Sequence, residues 1–255
     1  MDCSFLTQEG KVALITGGSR GIGRSIALAF ADAGADIAIS GRKQEDLDKA
    51  AEEIKGLGRK ALTVTASARE MEELKAMVDK VMAEYGRIDI LVNNAATNPA
   101  MGTLVDTKEK VFDIIMETNI KSYFMMSKLV GKIMMEQKSG YIINISSAGG
   151  VSPAEGLGPY CISKAAINMM TKQLAMELGP HNIRVNAIAP RIVKTDFSKA
   201  LWSNDELMQH EFQFTPLKCV ATPDEIGQMA LYLASSSINY MTGHIFLVNG
   251  GAFFH

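Results

Sequence analysis

Tyr160-Cys161-Ile162-Ser163-Lys164 places a phenol and an ammonium four residues apart. On a helix that spacing puts both side chains on one face, roughly 6 Å apart along the axis. A free phenol, with a pKa of about 10, exchanges protons poorly near neutrality, and a nearby cation favours phenolate. The pair therefore suits general acid–base chemistry. Taken alone, such a pair is far more often two amphipathic residues on a wet helix face.

A second chemical stretch is Gly17-Gly18-Ser19-Arg20-Gly21-Ile22-Gly23. Glycines between a strand and a helix let the backbone approach a pyrophosphate, whose charge is stabilised by free N–H groups and the helix dipole. Without the flanking elements it would be only a tight turn.

Those elements are legible. Lys11 to Thr16 is an apolar run of strand length, and Ile22 to Ala33 has helical periodicity up to Gly34. Strands follow at Asp36–Ser40, Lys60–Ala66, Ile88–Val92, Gly140–Ile145, Ile183–Ile188 and His244–Val248. Between them lie helices at Glu45–Leu57, Met71–Tyr85, Thr107 to about Gln137, Tyr160–Leu178 and Pro223–Ala234, with a less regular stretch over Thr195–Cys219. Alternating strands and helices predict one doubly wound (Rossmann) α/β domain over residues 1–255, a seven-stranded parallel sheet with helices on both faces.

Thr16-Gly17-x-x-x-Gly21-Ile22-Gly23, Asn93-Asn94-Ala95, Asn119, Ser147, Tyr160-x-x-x-Lys164 and Asn186-Ala-Ile-Ala-Pro190 with Thr195 stand in one order along the chain. Together they resemble the classical short-chain dehydrogenase/reductase family over essentially the whole length. The resemblance implies an oxidoreductase interconverting a carbonyl and an alcohol. Tyr160 would exchange the proton, and Ser147, at a strand's C-terminal end, would hold the substrate oxygen. Lys164 would lower the tyrosine pKa and bind the nicotinamide ribose. Asn119 would hold a water linking Lys164 to solvent; on its own it reads as a helix-surface amide, and Ser147 as a turn residue. The hydride belongs to the cofactor. Cofactor contacts are implied at Gly17, Ser19, Arg20, Gly21, Ile22, Gly23, Gly41, Arg42, Ser67, Asn94, Ala95, Pro190, Ile192, Val193 and Thr195, besides Tyr160 and Lys164.

The second strand ends in Ser40-Gly41-Arg42-Lys43, without the carboxylate that would select NAD. Arg42 and Arg20 suit a 2′-phosphate, so NADP(H) is the expected cofactor. Three departures from the family pattern are Ser67 for an aspartate beside the adenine, Asn249 for the aspartate of the Val-Asp-Gly-Gly ending, and Arg191 for a glycine beside the nicotinamide. The last suggests a cation facing an anionic substrate, or else one swung outward onto an acid such as Asp196. Phe197, Leu201, Trp202, Met208, Phe212 and Phe214 crowd the stretch 195–219, the family's substrate lid, which suggests a largely apolar substrate; they are equally well ordinary core.

The 255 residues are 47% apolar and 21% charged with net charge −2, which argues against nucleic-acid binding. Cys3, Cys161 and Cys219 have no paired spacing and read as reduced thiols, neither disulfide frame nor metal site. No secretory leader or membrane span is apparent, so a cytoplasmic protein is expected. The resemblance implies a homotetramer, with helices near Tyr123–Met135 and Ile162–Leu178 packing on a partner and the methionines at 125, 126, 134, 135, 169 and 170 suiting such a surface. An acyl-thioester 3-oxo reductase, an NAD-dependent alcohol dehydrogenase and a non-catalytic partner subunit remain open alternatives.

Overall fold

The computed structural model describes residues 4–252, and Cys3 falls outside them. Seven parallel strands form one sheet: β1 Val12–Thr16, β2 Asp36–Gly41, β3 Ala61–Thr65, β4 Ile90–Asn93, β5 Gly140–Ile145, β6 Ile183–Pro190 and β7 Ile245–Val248. Their order is β3-β2-β1-β4-β5-β6-β7, so the direction of winding reverses between β1 and β4. A crevice at the carboxyl ends of those two strands is where a ligand binds in such sheets.

The strand residues explain the two-sided packing. Along β1, Ala13 and Ile15 join one hydrophobic cluster, whereas Val12 and Leu14 join the other, as the period of two requires. Ile37 and Ile39 oppose Ala38 in β2 in the same way, and Ile90 and Val92 oppose Leu91 in β4. With both faces covered, the strands are apolar at nearly every position.

The helices are α1 Gly21–Asp32, α2 Gln44–Gly56, α3 Met71–Tyr85, α4 Glu109–Met116, α5 Ser122–Gln137, α6 Gly158–Leu178, α7 Lys199–Trp202, α8 Asp205–Phe214 and α9 Pro223–Leu233. Helix α3 stops where Gly86 takes φ +73°, a conformation most residues resist. Helix α9 starts on a capping box in which Thr222 and Glu225 satisfy each other's backbone N–H groups. A Cβ at Gly227 would lie 2.9 Å from the Ser25 carbonyl oxygen, so glycine there lets α9 approach the backbone of α1.

Two stretches differ from the sequence expectation. The helix expected over 107–137 is two helices joined by a π turn, Glu117–Lys121, which turns Asn119 inward. The supposedly irregular stretch 195–219 contains α7 and α8. Helix α8 is capped by the Asn204 side chain, which accepts from Leu207 N at 3.1 Å, a local device that apolar periodicity does not reveal. Among the described residues no helix is long and apolar enough to cross a membrane.

Candidate active site

The glycine loop leaves β1 at the point where the winding reverses. Gly17 and Gly21 have φ of +66° and +54°, which favour glycine. A Cβ on Gly23 would lie 2.3 Å from the Gly17 carbonyl oxygen, so the loop can close on the helix only with glycine there. Asn94 fastens the loop from β4: its Nδ2 donates to Thr16 O at 2.9 Å and Gly17 O at 3.0 Å. The backbone N–H groups of Asn94 and Ala95 both donate to Thr16 Oγ1. Thr16 thus joins β1 to the Asn94 loop. The motif begins with this threonine, but nothing local in the sequence marks its hydroxyl as an acceptor for residues 78 and 79 positions away.

Other predicted positions gather around this loop. A Cβ on Gly21 would meet Thr195 Cγ2 at 3.3 Å, and one on Gly41 would meet Ser19 Oγ at 3.2 Å. Ile22 lies half-buried in the first turn of α1, and Val193 is buried and bridged to Ala221. Ile192 accepts from Ala221 N, which holds that strand end beside the loop. Arg20 occupies the N-cap of α1 with extended backbone and no capping side-chain bond, leaving the first N–H groups of the helix to an anion. Arg20 and Arg42 are exposed, as ligand-facing cations would be. Ser67 lies further out: its N–H donates to Glu73 Oε2 at 2.7 Å, its Oγ accepts from Arg69 N, and the preceding Ala66 N–H donates to Gly41 O. A nicotinamide dinucleotide fits this donor set, because a glycine cradle without side chains and an uncapped helix terminus converge at one crevice.

Next along the crevice, Ser147 caps a 3₁₀ turn, Ala148–Gly150, its Oγ accepting from Gly149 N at 3.1 Å and reaching Pro190 O at 3.5 Å. The turn packs directly on α6, since a Cβ on Gly150 would lie 2.7 Å from the Lys164 carbonyl carbon. That contact sets the distance between Ser147 and the face of α6 carrying Tyr160 and Lys164. Burial pushes the Tyr160 phenol up to about 12, with a hydrogen bond from Ser147 opposing the rise. Lys164 is 1% exposed and burial brings its ammonium down to about 7. These directions correct the expectation that Lys164 lowers the tyrosine pKa. Its Nζ donates to Ile145 O at 2.8 Å and sits 5.5 Å from the Tyr160 ring centroid, so its hydrogen bond is spent on a carbonyl and not on the phenol.

Asn119 is fully buried, which overturns the surface-amide reading. Its Oδ1 accepts from Thr97 N at 2.8 Å, and its Nδ2 donates to Thr97 O at 3.1 Å and Ser163 Oγ at 3.0 Å. It therefore ties the loop after β4 to α6 one residue from Lys164. Asn249 Oδ1 accepts from Gly251 N at 3.1 Å, a bond that a carboxylate oxygen could equally accept.

Arg191 is ion-paired to α8. Its Nε donates to Glu211 Oε2 at 2.8 Å, and its Nη2 pairs with the same carboxylate on α8. Of the two readings of this cation, the structure shows the pairing with an acid, Glu211 in place of Asp196, and the pair anchors α8 to the end of β6. Accordingly Arg191→Gly should change the Michaelis constants of an anionic ketone and of its methyl ester by the same factor, within about twofold. A selective loss of tenfold or more for the acid would restore a charge-recognition role.

Around the mouth, Phe197 is 6.2 Å from Tyr160 between ring centroids. Phe197, Phe214, Met101 and Leu104 are exposed, whereas Met208 is buried and Trp202 Nε1 is tied to Thr195 O at 2.8 Å. The six apolar residues of 195–219 thus divide between packing and an open surface.

A family model described as enoyl-(acyl carrier protein) reductase matches residues 17–252. Dehydrogenase/reductase SDR family member 4 of Sus scrofa is 36% identical over 243 residues, covering 95% of this chain and 87% of the relative. The 3-oxoacyl-[acyl-carrier-protein] reductase FabG of Thermotoga maritima is 37% identical over 244 residues, covering 95% and 98%. Among solved structures, a 7α-hydroxysteroid dehydrogenase complexed with NADH and 7-oxo glycochenodeoxycholic acid superposes with a TM-score of 0.94 at 33% identity, covering 98% of this chain and 97% of that one. A cradle for a nicotinamide dinucleotide beside a Ser147–Tyr160–Lys164 cluster, on a sheet shared with these oxidoreductases, places the chain in the short-chain dehydrogenase/reductase family.

Proposed function

We propose that the protein is an NADP(H)-dependent carbonyl reductase that interconverts a ketone or aldehyde and an alcohol. The observation that carries the reading is the Tyr160 side chain, set beside the buried Lys164 on the helix α6 against which the Ser147 turn packs. With its pKa raised to about 12, the phenol is proton-loaded at neutral pH, the form that reduction consumes. Ser147 orients the carbonyl oxygen towards that proton. Asn119 keeps α6 in register through Ser163 and holds the water that links Lys164 to solvent. The bound dinucleotide supplies the hydride. Residues 195–219 act as the substrate lid, and exposed Phe197 and Phe214 favour a largely apolar substrate body.

A panel of aromatic ketones, aliphatic aldehydes, a steroid ketone and a 3-oxoacyl thioester, each with NADPH and NADH, tests the reading. Absence of reduction across the panel would sink it. The thioester is the second reading, favoured by the similarity to FabG. Against it stands the charge of the lid: residues 195–219 carry two lysines against four carboxylates, unsuited to an anionic carrier arm.

For NADP(H), support comes from Arg20 and Arg42 and from the missing carboxylate after β2. Arg42→Ala should weaken NADPH by ten- to a hundredfold, the scale of a charge-assisted hydrogen bond of about 1.5 to 3 kcal/mol, and leave NADH nearly unchanged. Dissociation constants for both cofactors decide this; equal losses, or a wild type preferring NADH, overturn it.

The working assembly in this reading is a cytoplasmic homotetramer that binds neither nucleic acid nor membrane. Phe124, Ile162, Met169 and Met176 expose apolar surface on α5 and α6, which supports it, although Met126 and Met134 belong to the core.

A further inference from the structure

Tyr123, in the first turn of α5, is completely buried, and no sequence motif marks it. Its hydroxyl donates to Ile145 O at 3.1 Å, and Lys164 Nζ donates to the same oxygen at 2.8 Å. The ammonium lies 5.5 Å from the centroid of the Tyr123 ring and 5.5 Å from that of Tyr160. One carbonyl and two ring faces therefore surround a cation that burial has stripped of water.

Among the described residues no carboxylate acts on that charge. Helix α6 contributes Tyr160, α5 contributes Tyr123, and β5 contributes the Ile145 carbonyl. Desolvation is the one cause acting on the lysine, without a coulombic partner. A ring face attracts a cation through its quadrupole, and the attraction strengthens when water is excluded. A hydroxyl sharing the acceptor fixes both the carbonyl and the plane of the ring.

We propose that Tyr123 is a positioning residue for Lys164: its ring supports the ammonium as a second ring face besides that of Tyr160, and its hydroxyl fixes the carbonyl that both groups share. The proposal rests on the reading of Lys164 as the cation that binds the cofactor. Its effect reaches the reaction through Lys164, because the Tyr123 hydroxyl is bonded to the Ile145 carbonyl that Lys164 also holds.

The test replaces the ring's electrons while keeping its shape. Tyr123→Phe and the series Tyr123→4-fluorophenylalanine and Tyr123→3,4,5-trifluorophenylalanine are titrated for NADP⁺ binding against pH, with wild type and Lys164→Met alongside. The midpoint that Lys164→Met removes should fall with each added fluorine, by about half a pH unit or more across the series, since a weaker ring quadrupole holds the charged form less well. A midpoint that stays fixed across the series overturns the proposal while leaving Lys164 in its role. If Lys164→Met retains the midpoint, the reading of Lys164 falls and the proposal with it. Tyr123→Phe alone should weaken NADP⁺ by about two- to fivefold through loss of the hydroxyl's bond to the shared carbonyl, a change within the range of one neutral hydrogen bond. Packing alone would respond to ring size, which the series holds almost constant.

Discussion

Tyr160→Phe should lower NADPH-dependent carbonyl reduction by at least about a hundredfold, the lower end of what a positioned acid contributes. The NADPH dissociation constant should stay within about twofold, because a ring without its hydroxyl still lies against Phe197 and beside Lys164. Folding should be little affected, since Ser147 keeps Gly149 N and Pro190 O as partners when the phenol is gone. A hundredfold loss corresponds to about 2.7 kcal/mol of transition-state stabilisation, confined to the proton-transfer step. The wild-type phenol, raised to about 12, stays protonated through the neutral range, so the alkaline limb of reduction should not come from Tyr160 below pH about 10. Single-turnover rates with saturating NADPH separate the proton step from binding. A variant retaining more than a tenth of the wild-type rate would remove Tyr160 as the acid.

The sequence made the sheet legible because parallel strands covered on both faces are nearly continuous apolar runs, and each run here ends close to where β1 to β7 end. Chemical positions were legible for a different reason. Glycines that must take positive φ, as at Gly17 and Gly21, and a tyrosine and lysine on one helix face depend on local geometry alone. What stayed hidden was long-range. Arg191 finds Glu211 twenty residues away only when α8 folds back onto β6. Asn119 turns inward through a π turn that no periodicity announces. Tyr123 resembles any aromatic on an amphipathic helix until the register of α5 against α6 brings it to Lys164. Even the sign of the Tyr160 shift depends on how completely the fold excludes water, which residue types do not reveal.

Lys164→Met should lower the reduction rate by about a hundredfold and weaken NADP⁺ by about tenfold or more, because the buried ammonium that would hold the cofactor ribose also lies 5.5 Å from the ring of the reacting tyrosine. The distinctive part of this prediction is its pH dependence. Lys164 has a folded pKa of about 7 against an ordinary 10.5, so between those values the unfolded chain binds more protons than the folded one. Stability then rises with pH across that window and is lost as pH falls towards 7. Below about 7 both states carry the proton and the penalty is constant. Methionine carries no charge and fills most of the same space, and Tyr123 still donates to Ile145 O when the ammonium is removed. The variant should therefore unfold at a higher denaturant midpoint than wild type at pH 6, and the gap should close as pH approaches 10. NADP⁺ affinity should show the opposite ordering: wild type binds more tightly below pH 7, where its ammonium is charged, and the advantage over the variant shrinks as pH rises. Paired denaturant curves and binding titrations across this range decide the matter, since the intrinsic titration of the cofactor phosphate cancels between the two proteins. Parallel stability curves would mean that the lysine is charged at no cost and that Ile145 O with two ring faces compensates its burial in full. Equal NADP⁺ affinities at every pH would remove Lys164 from the cofactor site.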